Sequence, residues 1–255
     1  MRSTIIFLIF CIFISCSKRT PEHHYIFDNA NMLSKEQRDS IEQKLKSIEN
    51  NTTNEVVLYT IDSLGSRGID EFSLEVSREI GLGEIGINNG LLIFIAPKEK
   101  KLRMQITTGN EWIIPDTVSK TITDTIVKYF SRKEIFKGLY SGICLIENRL
   151  SSYDWQVHEI KLDEVINYDI GKIVCFNYDN KDGKTYKYPI SMDKQFQSDF
   201  FIELNLDETR KVKLCYTKYM SEILTSFSTS GKIKVFARVK SKNPLQLNLL
   251  GTIKR

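Results

Sequence analysis

Leu91 to Ala96 read Leu-Leu-Ile-Phe-Ile-Ala, with no polar side chain, and this run constrains the fold more than any other segment. A strand apolar at consecutive positions must be covered on both faces, as a central strand is between two layers of helices. The neighbouring segments supply those layers. Ser34-Lys35-Glu36-Gln37 has the form of a capping box, and Ile41, Leu45 and Ile48 follow at helical spacing. Glu55 to Ile61 is β-rich. Ile69, Phe72, Val76 and Ile80 mark a second amphipathic helix, ended by Gly81 and Gly83. Leu102, Met104 and Ile106 alternate with polar residues, as in a half-buried strand paired to the central one. Asp116 is placed to cap a helix carrying Val118, Ile122, Ile126 and Phe130, and a last helix carries Leu139, Ile143, Ile146 and Leu150. The order predicts an α/β domain over residues 25–152, with helices on both faces of a mixed sheet.

The pattern changes after Tyr153. Residues 154–170 are acidic and irregular. Strand-like runs follow at Lys172–Tyr178, Lys184–Ile190, Phe200–Leu206, Arg210–Tyr216, Lys232–Val239 and Gln246–Ile253, with Asp182-Gly183 as a hairpin signal between the first two. One helical stretch, with Tyr216, Met220, Ile223, Leu224 and Phe227 on one face, interrupts them. Residues 153–255 thus read as a smaller β-rich domain, either an OB-like barrel or a β-sandwich.

The N-terminus decides where the chain works. Arg2 precedes an apolar run from Ile5 to Ile14, broken only by Cys11, and Ser15 is small. That is the form of a signal peptide, too short to span a bilayer comfortably. Phe13-Ile14-Ser15-Cys16 looks like the lipobox of a bacterial lipoprotein, so residues 1–15 are read as signal, Cys16 as the acylated N-terminus and residues 16–24 as a lipidated tether. Two or three acyl chains, at roughly 0.8 kcal/mol per buried CH₂, anchor a protein stably. The expected location is the bacterial cell envelope, anchored to a membrane and facing the periplasm. Cys144, Cys175 and Cys215 form no disulfide framework; at most Cys175 and Cys215 pair, and Cys144 reads as a small buried hydrophobe. The histidines number 3 and none is spaced against a cysteine, which argues against a zinc or Cys-His site.

Residues 25–152 resemble the TPM family, named for thylakoid-lumen and receptor-modulating members. The resemblance rests on Phe27-Asp28 with Leu33-Ser34, Gly81-Leu82-Gly83 running to Asn88-Asn89-Gly90-Leu91-Leu92, Gly109-Asn110-Glu111 with Pro115-Asp116, and Phe136-Lys137-Gly138 with Gly142-Ile143. It implies an α/β/α sandwich. It also implies calcium at an acidic loop cluster and, in some members, a phosphatase activity. The family usually shows Asp-Asn-Gly before the central strand, and Asn88 stands at the position of that Asp. The candidate calcium shell carried over is Asp28, Asn88, Glu111 and Asp116, with Glu84 nearby. Calcium takes six to eight oxygens and gains affinity from ligand charge, so Asn88 leaves the shell one carboxylate short. Each residue also has a plainer role: Asp116 in helix capping, Asp28 in a turn, Glu111 as a solvated loop charge.

Gly81-Leu82-Gly83-Glu84-Ile85-Gly86 fits Gly-x-Gly-x-x-Gly but follows a helix and precedes a strand, the wrong order for a dinucleotide loop. Lys232, Lys234, Phe236, Arg238 and Lys240 share one face of a strand, either a solvated face or a polyanion-binding one. Outside the cytoplasm nucleic acid is not the expected partner. The combined reading is an envelope lipoprotein whose TPM-like domain is a non-enzymatic interaction or assembly module, with an envelope protein as partner and no catalytic residues. The alternative is a calcium-supported, phosphatase-like hydrolase on the same loops. Lipidation is checked by mass spectrometry of the mature protein: an acyl mass on Cys16 is expected, and Cys16→Ala should leave an uncleaved or soluble form. A mature N-terminus elsewhere with no acyl mass contradicts it.

Overall fold

The computed structural model describes residues 24–179, 184–187, 200–205, 211–216, 232–242 and 244–254. The signal, Cys16, nearly all of the tether, Asp182-Gly183 and the helical pattern after Tyr216 lie outside them.

The first sheet has the order β1-β2-β3-β4. β1 (Ile26–Asp28), β2 (Glu55–Thr60) and β3 (Gly90–Ala96) are parallel, and β4 (Lys101–Ile106) closes the row antiparallel to β3. β3 is buried along its whole length. Its alternating side chains divide between two cores. Leu91, Ile93 and Ile95 join Val56 and Leu58 under α1 (Lys35–Thr52), α4 (Asp116–Phe130) and α5 (Ile135–Leu150). Leu92, Phe94 and Ala96 join Val57 under α2 (Ile69–Glu79). This is the expected α/β/α sandwich.

Local signals explain the helix ends. The Ser34 hydroxyl accepts from the Gln37 N–H and the Gln37 side chain accepts from the Ser34 N–H, so the capping box is formed. α2 ends at Gly81 (φ +66°), with the Leu82 N–H on the Ser77 carbonyl and the Gly81 N–H on the Arg78 carbonyl. Those two bonds make a Schellman motif. Asp116 differs from expectation. Pro115 occupies the N-cap position, extended at ψ 167°, and Asp116 is the first helical residue. Its charge still favours the positive end of α4.

The second half forms one open, mixed sheet in the order β5-β6-β10-β11-β9-β8-β7. Its strands are β5 (Val157–Glu159), β6 (Ile173–Asp179), β7 (Lys184–Lys187), β8 (Phe200–Asn205), β9 (Lys211–Tyr216), β10 (Lys232–Lys242) and β11 (Leu245–Lys254). A 3₁₀ helix, Leu162–Asn167, follows β5. Among the described residues β5 and β7 do not pair, so the sheet is not closed into the barrel that was one expectation, and as one hydrogen-bonded sheet it is not the two-sheet sandwich that was the other. The Asp182-Gly183 signal does not make neighbours of β6 and β7 either: β6 pairs with β10, and β7 with β8. A turn dipeptide specifies reversal, while burial of a strand face selects the partner. Cys175 on β6 and Cys215 on β9 are buried and not joined in a disulfide. β10 and β11 separate their strands by about 14 Å at roughly 4.8 Å per strand, twice the reach of a disulfide. Cys144 is only half-buried. No helix among the described residues is long and apolar enough to cross a membrane.

The two halves share a core. Ile173, Cys175, Phe236 and Leu250 of the second sheet, with Trp155 of the connection, lie in the same cluster as Ile87, Met104, Ile113 and Ile114. Full burial of such a side chain contributes about 1.5–3 kcal/mol. The change of pattern at Tyr153 therefore marks a change of architecture within a packed molecule.

Candidate functional site

The resemblance directs attention to the N-terminal end of the parallel strands, where Asn88 and Asn89 lead into β3. Asn89 is fully buried and ties the loop together: its side-chain oxygen accepts from the Glu84 N–H at 2.9 Å and its amide donates to the Thr53 carbonyl. Asn88 sits in the left-handed region (φ +50°), where Asn is well tolerated. Its carbonyl accepts from the Gly109 N–H at 2.8 Å and from the Thr107 hydroxyl. Its side-chain amide donates outward, at 2.6 Å, to the carbonyl of Leu250 in the second sheet.

A bulge creates that acceptor. Along β10, Phe236 faces Gly251 and the next residue, Ala237, faces Leu249, so Leu250 is the extra residue of β11. A bulged residue leaves the ladder and re-aims. The Leu250 side chain enters the shared core while Leu247 and Leu249 stay in the second sheet's own core. Its carbonyl takes Asn88 Nδ2 and the Thr108 hydroxyl, the latter at 2.8 Å. Close approach requires glycine on both sides. A Cβ on Gly251 would lie 2.5 Å from Asn88 Nδ2 and from the Gly86 carbonyl oxygen, and one on Gly86 would lie 2.7 Å from the Phe236 ring.

The candidate calcium residues do not meet in one place. Asn88, the short helix α3 (Thr108–Glu111) and Asp116 stand at this end of the sheet. Asp28 pairs with Thr60, which is level with Ile95, at the other end. The five steps of β2 between Glu55 and Thr60 span about 17 Å. Asp28 is moreover saturated: Oδ1 accepts from the Met32 N–H and the Thr60 hydroxyl, Oδ2 accepts from the Leu33 N–H, and Arg38 approaches at 3.9 Å. Glu111 and Asp116 are neighbours in charge. The Glu111 carboxyl is pushed above the usual carboxylate range, by desolvation first and by Asp116 second. The residue as a whole is exposed. No group of three or more acidic, His or Cys side chains suited to a metal ion occurs among the described residues.

The basic strand face is not an open strip. Phe236 and Arg238 are buried, and Lys234 is paired with Glu159 at 3.0 Å. Nothing is described of the Lys232 side chain, and Lys240 is half-buried. Arg238 lies with its guanidinium carbon 4.8 Å from the Trp155 ring centre and 5.3 Å from that of Trp112, and Nη1 donates to the Gly171 carbonyl at 2.8 Å. Phe236 and Arg238 on that face of β10 meet the first domain instead of water. Thr108, Trp112, Trp155 and Leu250 were not singled out by sequence reasoning. A tryptophan in the Asn110–Ile114 turn and another just after α5 are the chain's 2 tryptophans, the one signal that could have marked the junction.

Residues 26–149 match the family model of the TPM domain. Among solved structures, the N-terminal domain of a protein from P. gingivalis is 26% identical, with 51% of this chain and 83% of that chain covered at a TM-score of 0.47. The BA42 protein of the psychrophilic bacterium Bizionia argentinensis is 20% identical over 49% of this chain and 86% of its own, at 0.45. The N-terminal domain of a Corynebacterium glutamicum protein is 14% identical over 53% and 87%, at 0.43. No curated protein matches the chain.

The junction makes a specific demand on Asn88. An aspartate there loses the donor and sets a carboxylate against the Leu250 carbonyl, for an expected loss of about 1–3 kcal/mol. Thr108→Val removes one donor from the same carbonyl and should cost about 1 kcal/mol or less. Denaturant unfolding of both variants checks the order, and an Asn88→Asp variant as stable as wild type contradicts the assignment.

Proposed function

We propose that this protein, whose residues 26–149 are a TPM domain, is a membrane-anchored lipoprotein of the cell envelope in which that domain serves as a non-enzymatic interaction or assembly module. The support for the non-enzymatic reading is the use made of Asn88. The position that resembles the family's aspartate carries no charge here, and its amide is spent on the Leu250 carbonyl. Asp28, a further member of the carried-over shell, is at the opposite end of the sheet with its oxygens taken. A hydrolase of phosphate esters needs positive charge where negative charge develops, and Asn88 supplies no carboxylate to hold a cation there. The support for the anchor is the Phe13-to-Cys16 sequence.

A calcium-supported phosphohydrolase is the second reading, favoured by Glu111 and Asp116 alone. A carboxyl raised in the folded state binds a proton more readily there than in the unfolded chain. Its ionisation therefore costs stability as pH rises through the raised value, and a bound cation would relieve that cost. The two readings separate in one experiment. Phosphate release from p-nitrophenyl phosphate is measured with calcium and with chelator, for wild type and for Glu111→Gln/Asp116→Asn. The interaction module predicts release at background in every case. It also predicts Glu111→Gln alone to be at least as stable as wild type at pH 7, any gain closing as pH falls through the carboxylate range. Calcium-dependent release that the double variant loses would establish the hydrolase instead.

A further inference from the structure

We propose that Arg238 is a releasable pin: the second sheet undocks from the TPM domain by withdrawing the guanidinium from between Trp112 and Trp155, in a local opening short of unfolding. The inference does not depend on the non-enzymatic reading, since it concerns how the halves are held and not what the loops bind.

The burial of Arg238 is unfavourable. Arg238 is 1% exposed and belongs to the largest fully buried side chains of the molecule. A buried charge is ordinarily matched by a carboxylate and a full set of hydrogen bonds. Here Nη1 alone has an acceptor, the Gly171 carbonyl, and Nε and Nη2 are buried with no partner among the described residues. Asp154, whose charge reaches Arg238, is hydrogen-bonded to Lys172 instead. Burial accordingly lowers the pKa of Arg238 to about 10, still charged at neutral pH. Stacking on two indole faces recovers part of the lost hydration. In water, by contrast, all five N–H donors find partners. Opening relieves this one cost of docking, against the exposure of Phe236 and Leu250 from the shared core and the loss of the donors to the Leu250 carbonyl.

What remains after opening is structured. Val235, Ala237 and Val239, on the opposite face of β10, belong to a core made with Phe176, Leu214 and Leu247 inside the second sheet. The TPM sheet keeps its α2 layer and its α1, α4 and α5 layer. The indoles are set by the first domain and the connection: Trp112 lies edge-on to Tyr153 at 5.3 Å, and Trp155 Nε1 donates to the Leu150 carbonyl at 3.0 Å. The slot therefore stands ready for the guanidinium on closing.

Both tryptophans line the slot, so the chain's indole fluorescence reports on the pin alone. The test compares wild type, Arg238→Met and Arg238→Lys in the intact chain by acrylamide quenching, hydrogen exchange and thermal melting. Methionine fills similar volume without a charge to rehydrate. It should slow exchange across residues 86–90 and 248–251 by about tenfold, lower the quenching, and leave Tm equal or higher. Lysine keeps the charge, loses the planar stack and hydrates more strongly, so it should speed exchange in the same two segments and raise quenching. An Arg238→Met variant that exchanges faster, melts lower or does not fold makes Arg238 an ordinary structural residue and overturns the proposal. Exchange unchanged in both variants overturns it equally.

Discussion

The carbonyl of Leu250 holds the two halves of this molecule in register. It is available because a bulge takes one residue of β11 out of its ladder, and it is satisfied because Asn88 and Thr108 of the first domain both donate to it. A buried carbonyl without a partner would cost about 1–3 kcal/mol, so the bulge is tolerable only with the first domain in place. The dependence runs both ways. The Asn88 amide needs an acceptor, and the glycines at 86 and 251 leave room for nothing larger than a hydrogen between them and the opposing chain.

This junction bears on what the TPM domain can offer. One end of its sheet, where the resemblance places an acidic loop, faces its own C-terminal half at Asn88 and Phe236. Asparagine at 88 suits the junction, since its amide presents a donor to the Leu250 carbonyl. Aspartate has the same shape and the opposite hydrogen-bonding character. The same position cannot serve a cation and this joint equally well. Glu111 and Asp116 lie just beyond the junction and are exposed as whole residues.

Much of the first domain was legible because its signals are local. The apolar run of β3, the Ser34–Gln37 box and the glycine after α2 each have a mechanism that acts within a few residues, and each is formed as read. Asp116 was misplaced by one position because Pro115, with its fixed φ, takes the extended cap conformation. The candidate site was less legible because it depends on topology. Nothing in the spacing of Asp28 and Asn88 says that they stand at opposite ends of parallel strands. The face of β10 illustrates the same limit: Lys234, Phe236 and Arg238 alternate with apolar residues whether that face meets water or another domain. Only the three-dimensional placement of Trp112 and Trp155 makes a buried position of Arg238. The strand order of the second sheet was hidden for a related reason, since β6 finds β10 across more than fifty residues of chain and no local turn encodes that pairing.

The central claim is that the β10–β11 hairpin and the TPM sheet form one body joined at Asn88 and Leu250. Residual dipolar couplings of backbone amides in the weakly aligned protein test it most directly. One alignment tensor should fit the amides of β1–β4 and of β6, β10 and β11 together, with cross-peaks between the Asn88 side-chain amide protons and the Leu250–Gly251 backbone. Two tensors of different magnitude, with those cross-peaks missing, would contradict the account.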